Sequence, residues 1–245
     1  MYEIIKKSEM LSGLHDFVIK APEIAKTAKA GQFVHILCGE GTFLRRPISI
    51  CEVFSDAIRI VVAEKGTGTK NLANMQVGDC LDVLGPLGRG FDISKRPDGT
   101  VLLIGGGIGI FPLLQLSKDL ETDVDTILGF RNKELIVMQD EFPNLHIATD
   151  DGSFGTKGLV TDIAEKLISE KKIGSIYACG PTPMLRAVKN LAEKHNLHCQ
   201  ISMEERMGCG VGACLVCVCK TSNGAYAPVC KSGPVFMANE VSFDD

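Results

Sequence analysis

Residues 101–116 read VLLIGGGIGIFPLLQL, and this stretch decides the fold of the region around it. The apolar run Val101–Ile104 predicts a buried strand, and Pro112 stands where the following helix would begin. The turn between them contains Gly105, Gly106, Gly107 and Gly109. Amides at such a helix start can bind a pyrophosphate. Because Ile110 replaces the third glycine of the usual dinucleotide fingerprint, the turn taken alone is equally well a tight connection.

Apolar segments alternate with amphipathic ones on the C-terminal side of this motif. Examples are DTILGF (125–130), LVTDIAEKLISE (159–170) and SIYAC (175–179). Strands that alternate with helices are typical of a parallel sheet wrapped by helices. The sequence therefore predicts an α/β domain over residues 97–203.

A second motif, YACGPTPML (177–185), ends another predicted strand of this sheet. Ligands of open α/β sheets bind at the carboxyl ends of strands, so Cys179, Gly180 and Pro181 would face the same crevice as the glycine-rich turn. The alternative is a small buried cysteine followed by helix-start prolines, with no chemistry. The presence of both motifs favours a dinucleotide site.

Residues 1–96 have a different pattern, with short segments rich in Val, Ile and Phe that end at Gly, Pro or Asp. They include DFVIKAPE (16–23), GQFVHILCGE (31–40), RRPISICEV (45–53) and AIRIVVAEKG (57–66). Such segments predict the strands of a small antiparallel barrel. One helix is expected within 69–79, TKNLANMQVGD.

Two phosphate-binding features lie in this barrel. FLRRPISI (43–50) joins Arg45 and Arg46 to a rigid Pro47, and EKGTGTKNL (64–72) supplies Gly68 and Thr69 just before the helix. An isolated arginine pair is more often a solvated pair on an edge strand. Because the second feature is also present, a flavin dinucleotide that spans both features is the better interpretation.

Five cysteines fall between residues 209 and 230, and they begin a third, small module over 204–245. Cys209, Cys214 and Cys217 have the spacing C-x4-C-x2-C, and Cys230 supplies a fourth thiol. This spacing is the one of plant-type [2Fe-2S] ligation. The small residues between the cysteines leave room for backbone amides to approach the sulfurs.

Two other interpretations of the cysteines remain, a structural zinc site and a buried Cys-rich hairpin. Zinc sites usually show paired C-x2-C knuckles, and only Cys214 and Cys217 form such a pair. Cys219 lies on the same side of a predicted strand as Cys217 and could substitute as a ligand, but we assign it to packing.

The composition excludes several classes of function. The chain has 245 residues, 26 basic and 30 acidic side chains, and no basic stripe, which argues against a nucleic-acid partner. No apolar run is long enough to span a membrane. The start MYEIIKKSEM lacks the apolar stretch of a secretory signal, so the ten cysteines are expected in a reducing cytoplasm. The five histidines are scattered, and we assign them no role.

The motifs RPIS (46–49), Gly-Thr (68–69), GGGIGIFP (105–112) and CGP (179–181) occur in an order that resembles the ferredoxin-reductase type of flavoprotein. Within that group, RRPIS and the segments EERMGCGVGACLVCVCK (204–220) and PVCKSGPVF (228–236) resemble the electron-transfer subunits of type B dihydroorotate dehydrogenases. The resemblance covers essentially the whole chain.

This resemblance implies an FAD-binding β-barrel, a nicotinamide-binding α/β domain and a small [2Fe-2S] module. It implies an oxidoreductase subunit of pyrimidine biosynthesis that passes electrons between NAD and a catalytic subunit containing FMN, in a heterotetramer of two subunits of each kind. The residues implied to contact FAD are Arg46, Pro47, Ile48, Ser49, Val61, Val62, Ala63, Gly68 and Thr69. The glycines of residues 105–109 with Gly180 and Pro181 would bind the nicotinamide dinucleotide, and Cys179 would lie beside the nicotinamide.

Two other classes of protein share parts of this pattern. A flavin and [2Fe-2S] subunit of an NAD(P)H:ferredoxin oxidoreductase or sulfide dehydrogenase would share the first motifs. A nucleotide-binding protein that docks a partner through a zinc hairpin belongs to another class. Arg131 could select NADP or lie in a solvated loop. We expect VFMANEV (235–241) to supply part of an apolar contact surface near the cluster.

Overall fold

A computed structural model describes residues 1–39 and 41–243 of the chain. The first half of the chain forms a closed barrel of six strands: β1 (Tyr2–Leu11), β2 (Leu14–Lys20), β3 (Phe33–Leu37), β4 (Arg46–Val53), β5 (Ala57–Ala63) and β6 (Cys80–Leu87). The order around the barrel is β1-β2-β5-β4-β3-β6, and all neighbouring strands are antiparallel. Two helices interrupt it, α1 (Pro22–Ala25) and α2 (Thr67–Asn74).

Alternation of side chains fixes which face of each barrel strand is buried. On β2, His15, Phe17 and Ile19 are buried, while the residues between them are partly exposed. The inward side chains of all six strands meet in one core, which includes Ile4, Ile36 and Ile60.

The second half begins with β7 (Thr100–Gly106). It continues through α3 (Phe111–Asp119), β8 (Val124–Phe130), β9 (Leu145–Thr149), β10 (Thr156–Lys157), α4 (Val160–Glu170), β11 (Ile173–Cys179), α5 (Thr182–Lys194) and β12 (His198–Ser202). These strands are parallel to their neighbours. Pro112 lies in the first turn of α3, as the sequence predicts.

The C-terminal region contains β13 (Val218–Lys220), β14 (Tyr226–Pro228), α6 (Val229–Ser232) and β15 (Val235–Met237). Strands β13 and β14 form a hairpin. Strand β15 leaves this module and pairs antiparallel with β12, so the large sheet has the order β10-β9-β8-β7-β11-β12-β15. The expectation of an apolar surface at 235–241 is wrong, because β15 pairs with the sheet and Phe236 and Val241 are buried.

The predicted architecture of a barrel, a parallel α/β sheet and a small C-terminal module is confirmed. The sheet changes winding direction at β7, because β8 pairs with one edge of β7 and β11 with the other. Ligands of open α/β sheets bind at such a point, outside the carboxyl ends of the strands. In the part of the chain that the structure describes, no helix is long and apolar enough to cross a membrane.

Ionic contacts hold the barrel against the sheet domain. Arg59 of β5 contacts Asp16 and Glu52 of the barrel and also Glu141 of the sheet domain, and its side chain is only 12% exposed. Lys118 of α3 pairs with Glu52. The two domains therefore share a mostly buried charge network.

Candidate functional site

The two phosphate-binding features of the barrel meet in the structure. A Cβ atom added to Gly68, which lies in the first turn of α2, would be 2.9 Å from Nε of Arg46. The hydroxyl of Thr69 accepts hydrogen bonds from the N–H groups of Lys65 (2.8 Å) and Gly66 (3.1 Å), which orders the turn before the helix. A guanidinium beside a helix N-terminus fits a diphosphate, so these residues fit the FAD that the resemblance implies.

The neighbouring Arg45 forms hydrogen bonds within the barrel. Arg45 donates to the Asp82 carboxylate at 2.8 Å and to the Asp82 carbonyl at 3.0 Å, both on β6. This hydrogen bond holds the pKa of Asp82 below its usual value. Arg46 is therefore the arginine of the pair that faces the helical turn, and Arg45 ties β4 to β6.

The remaining implied FAD contacts lie on β4 and β5. Ser49 is exposed on β4, next to the half-buried Pro47 and Ile48. Val61 and Val62 are buried, while Ala63 is half-buried at the end of β5. Because the Val62 side chain belongs to the barrel core, its contact to a cofactor would be through the backbone.

The two motifs of the sheet domain are packed directly against each other. Cys179 on β11 is in register with Gly105 on β7. A Cβ on Gly109 would be 2.5 Å from the carbonyl oxygen of Cys179. A Cβ on Gly106 would be 3.0 Å from Cδ of Pro181. These glycines permit the close approach of the two strand ends at the switch point, where a dinucleotide would lie.

Cys179 is a protonated thiol. Burial raises its pKa to about 12, although a hydrogen bond with Ser202 opposes this shift. A thiol is a weak nucleophile, because the thiolate is the reactive form. The arrangement suits contact with a ring rather than covalent chemistry.

A cavity of about 460 Å³ lies at the carboxyl ends of β8 and β9, lined by residues of 133–141 and by Phe154. Arg131, at the end of β8, is exposed. None of the residues that line this cavity belongs to the two glycine motifs.

Three of the predicted cluster cysteines lie in the loop 203–217 before β13, here called the cluster loop, and the fourth, Cys230, lies in α6. Sγ of Cys209 accepts from the N–H groups of Val211, Ala213 and Cys214 at 3.3–3.4 Å. The other three sulfurs each accept one hydrogen bond from a backbone N–H. Cys209 donates to Sγ of Cys214, Cys230 donates to Sγ of Cys217, and Gly212 donates to Sγ of Cys230. Cys209 and Cys214 form one contacting pair, and Cys217 and Cys230 form the other.

Amide donors stabilise the thiolate form that a metal requires. The N–H of Val211, followed by that of Cys214, lowers the pKa of Cys209 to about 6. Two pairs of thiols with amide donors fit a cluster of two irons with two protein ligands each. In the described residues, no group of three or more His, Cys, Asp or Glu side chains is arranged to hold a metal ion.

Glycine is required at two positions of the cluster loop. Gly210 and Gly212 have φ values of +73° and +82°, in the left-handed region. Cβ atoms there would also be 2.5 Å from Nδ1 of His35 and 2.6 Å from Cδ of Lys231. Cys219 is buried on β13 and packs in the core.

Sequence reasoning missed His35, to which it assigned no role. The side chain is fully buried on β3, and its ring lies against Gly210 of the cluster loop. Burial, and then the charge of Arg45, lowers the pKa of His35. The available signal was a histidine in the middle of the apolar strand FVHIL.

Comparison with known proteins agrees with this geometry. Residues 204–242 match the family model of the iron-sulfur cluster binding domain of dihydroorotate dehydrogenase B, and residues 103–190 match the oxidoreductase NAD-binding domain. The electron transfer subunit of dihydroorotate dehydrogenase B (NAD(+)) from Caldanaerobacter subterraneus subsp. tengcongensis is 44% identical over 223 residues, which is 89% of each chain. The Bacillus caldolyticus protein of the same name is 44% identical over 241 residues, 93% of this chain and 92% of its own.

Solved structures extend the comparison. An NADH-dependent reduced ferredoxin-NADP oxidoreductase, from a study of flavin-based electron bifurcation, has a TM-score of 0.89 at 34% identity, covering 99% of this chain and 90% of that chain. The cytochrome b5 reductase domain of Ulva prolifera nitrate reductase, with a TM-score of 0.62 at 19% identity over 80% and 92% of the two chains, shares the fold. The identity and coverage of the curated relatives decide the family. The chain belongs to the electron transfer subunits of NAD(+)-dependent dihydroorotate dehydrogenase B.

Proposed function

We propose that this chain passes electrons between NAD and a catalytic subunit that oxidises dihydroorotate, in pyrimidine biosynthesis. Its cofactors are FAD and a [2Fe-2S] cluster, and NAD is its substrate. The observation that carries the proposal is the packing of the cluster loop on the barrel, where Gly210 contacts His35 of β3. This contact supports a four-thiol site next to β3, the barrel strand that pairs with β4 of the flavin motif.

The residues of the chain bind and orient the groups. Arg46 with the helical turn at Gly68 and Thr69 would hold the FAD diphosphate, and the two glycine motifs would hold the dinucleotide against Cys179. Cys209, Cys214, Cys217 and Cys230 would hold the cluster. When bound, FAD exchanges an electron pair with a nicotinamide and single electrons with a [2Fe-2S] cluster.

The catalytic partner that we propose contains FMN, and the assembly contains two subunits of each kind. Three exposed apolar residues near the cluster ligands support a partner contact, namely Val211, Leu215 and Val216, each at least half exposed. The FMN and the stoichiometry rest on the family resemblance alone. Exposed apolar residues grouped at one site are typical of a contact surface. We propose a cytoplasmic location because all ten cysteines are unpaired.

The domain limits that we propose are 1–96 for FAD, 97–203 for NAD and 204–245 for the cluster. The first limit falls between β6 and β7, and the second falls just after β12. We propose NAD rather than NADP as the substrate, because the curated relatives are named for NAD(+).

An anaerobic NADH titration of the full chain tests the proposal, with visible absorbance and low-temperature EPR as measurements. We expect the flavin absorbance to bleach and a rhombic [2Fe-2S] signal to appear. When the catalytic subunit is added, its FMN should also be reduced. A preparation without iron and acid-labile sulfide, or one with a single zinc, would contradict the proposal.

A second candidate function is an NAD(P)H:ferredoxin oxidoreductase subunit. The observation in its favour is the likeness to the ferredoxin-NADP oxidoreductase structure at 34% identity. The same titration separates the two functions, since this candidate requires reduction of a ferredoxin and no exchange with a dihydroorotate-oxidising subunit.

Cys179 offers a test of the nicotinamide site. Cys179→Ala should slow flavin reduction by NADH about tenfold or more in stopped flow, because a small misplacement of the reacting groups is costly. The native rate should show no thiol titration between pH 6 and 9, because its pKa of about 12 keeps the thiol protonated throughout. Cys199→Ala, a buried cysteine on β12, is the matched control. An unchanged rate in Cys179→Ala would remove this residue from the site.

A further inference from the structure

His35 is a buried side chain whose two ring nitrogens lack hydrogen-bond partners of normal geometry among the described residues. It lies on β3 between Val34 and Ile36, and its exposed fraction is 0%. Neither ring nitrogen makes a hydrogen bond of normal geometry within residues 1–39 and 41–243, although the backbone of Arg45 and that of Cys209 lie close enough to interact with the ring. A buried polar group without a partner destabilises a fold, so such a group in a native protein points to a functional partner or an ion.

The surroundings of the ring show where that partner lies. On one side, a Cβ on Gly210 would be 2.5 Å from Nδ1 and 3.1 Å from Cε1 of His35. Gly210 directly follows the ligand Cys209, so this nitrogen faces the cluster loop. On the neighbouring strand β4, His35 is in register with Pro47 of the flavin motif. His35 therefore lies next to residues of both proposed cofactor sites.

A second histidine also has a buried ring nitrogen without a partner among the described residues, but it lies away from the cofactor motifs. This nitrogen is Nδ1 of His198 on β12. Its ring packs edge-on against Tyr177 with a centroid distance of 6.3 Å, at the start of β12 and far along the sheet from the strand ends that carry the motifs. His198 is therefore a natural control for His35.

We propose that His35 is a positioning residue next to the flavin and cluster sites, which holds the Cys209–Gly210 turn against β3 and offers a ring nitrogen to the cluster. The inference rests on the proposed function, because it requires a [2Fe-2S] cluster on the four thiols. A hydrogen bond from a ring N–H toward the cluster stabilises its reduced, more negative form and raises its reduction potential.

The test compares three full-length variants with the native protein, each purified anaerobically with its FAD and cluster. His35→Leu removes the ring and its nitrogens, His35→Asn restores a donor, and His198→Leu is the matched control. Iron, sulfide and flavin content are measured first, and then the EPR spectrum and the cluster potential by redox titration.

We expect His35→Leu to make the potential more negative by about 59 mV or more, which corresponds to a tenfold change in a one-electron equilibrium. His35→Asn should recover part of the shift, and His198→Leu should leave potential and EPR spectrum unchanged. Equal effects of His35→Leu and His198→Leu, or none from either, would overturn the inference. Native protein without a cluster would overturn the proposed function as well.

A measurement on the native protein keeps the inference testable if His35→Leu does not fold. Pulsed EPR of the reduced cluster in protein labelled with ¹⁵N-histidine should detect a coupled histidine nitrogen, and His35→Asn in the same labelled protein should abolish it. Absence of the coupling in a native protein with a full cluster would exclude His35 as a donor.

Discussion

The barrel and the cluster loop hold their shapes by different interactions. The barrel closes six strands around fully buried side chains such as Ile4, Ile36 and Ile60. The cluster loop, residues 203–217, contains no helix or strand within the described part of the chain. Its ordering contacts are hydrogen bonds from backbone amides to cysteine sulfurs.

This difference separates what apolar burial can specify from what ligation specifies. Burial of apolar area stabilises the barrel whether or not a cofactor is present. Between Cys209 and Val216 the loop exposes its larger apolar residues, Val211, Leu215 and Val216, so little burial stabilises this part of it without metal. Metal binding is coupled to folding where the site is assembled by the metal itself. We therefore expect the cluster loop to be ordered by its cluster and the barrel to be independent of it.

Loss of one ligand should give the largest effect and should be confined to the loop. Cys214→Ser removes a predicted cluster ligand whose Sγ accepts a hydrogen bond from the backbone N–H of Cys209. We expect no [2Fe-2S] EPR signal and no electron transfer to the catalytic subunit, while FAD content and flavin reduction by NADH remain. Acid-labile sulfide, EPR and flavin absorbance measure these changes.

Cys80→Ser is the matched control for this variant, because Cys80 is an exposed thiol on β6 outside the cluster site. Hydrogen exchange should show faster exchange in 203–217 of Cys214→Ser and unchanged exchange in the barrel. Loss of FAD together with the cluster would show that the two regions fold as one unit and would contradict the comparison.

Apolar burial also explains which barrel strands the sequence predicts. Four barrel strands show clear runs of β-branched and aromatic residues, and the structure has them. The strands β1 and β6 were not recognised. YEIIKKSEML of β1 carries several charges, and CLDVLGPL of β6 contains Gly and Pro.

Long-range contacts of the site lay beyond sequence reasoning. The spacing of the cysteines predicted which thiols converge, because ligation depends on local geometry. The contact of His35 with Gly210 joins residues far apart in the chain, and no local pattern encodes it. The pairing of β15 with β12 is of the same kind, since three residues, VFM, carry no periodicity that predicts a neighbour.

Breaking the ionic contact between the domains should have a smaller effect. It should lower the free energy of unfolding equally with and without the cluster. Arg59→Met keeps most of the side-chain volume but leaves Asp16, Glu52 and Glu141 without their shared cation. Removing one partner of a buried ion pair lowers the free energy of unfolding by ~3–5 kcal/mol. Denaturant unfolding of the cluster-loaded and cluster-free protein measures this change.

Lys166→Met provides the control for Arg59→Met. Lys166 pairs with Glu170 at 3.9 Å on the exposed face of α4, where both side chains are more than half exposed. Such a pair contributes about 0–1 kcal/mol. A loss for Arg59→Met that occurs only in the cluster-loaded protein would show that the barrel depends on the cluster.

The smallest expected effect lies in the cluster loop and should be seen only with the cluster bound. Leu215 has φ = +57°, and its side chain is 61% exposed, so the residue is in the left-handed region with little burial in return. Asparagine adopts this region more readily, and Leu215→Asn should stabilise the loaded loop by about 1 kcal/mol. The measurement is the denaturant midpoint of cluster release, followed by visible absorbance. Val216→Asn, at a neighbouring exposed position without a positive φ, should give no gain. An equal gain in the cluster-free protein would mean that the loop already has this backbone conformation before ligation, and the contrast with the barrel would then be one of degree.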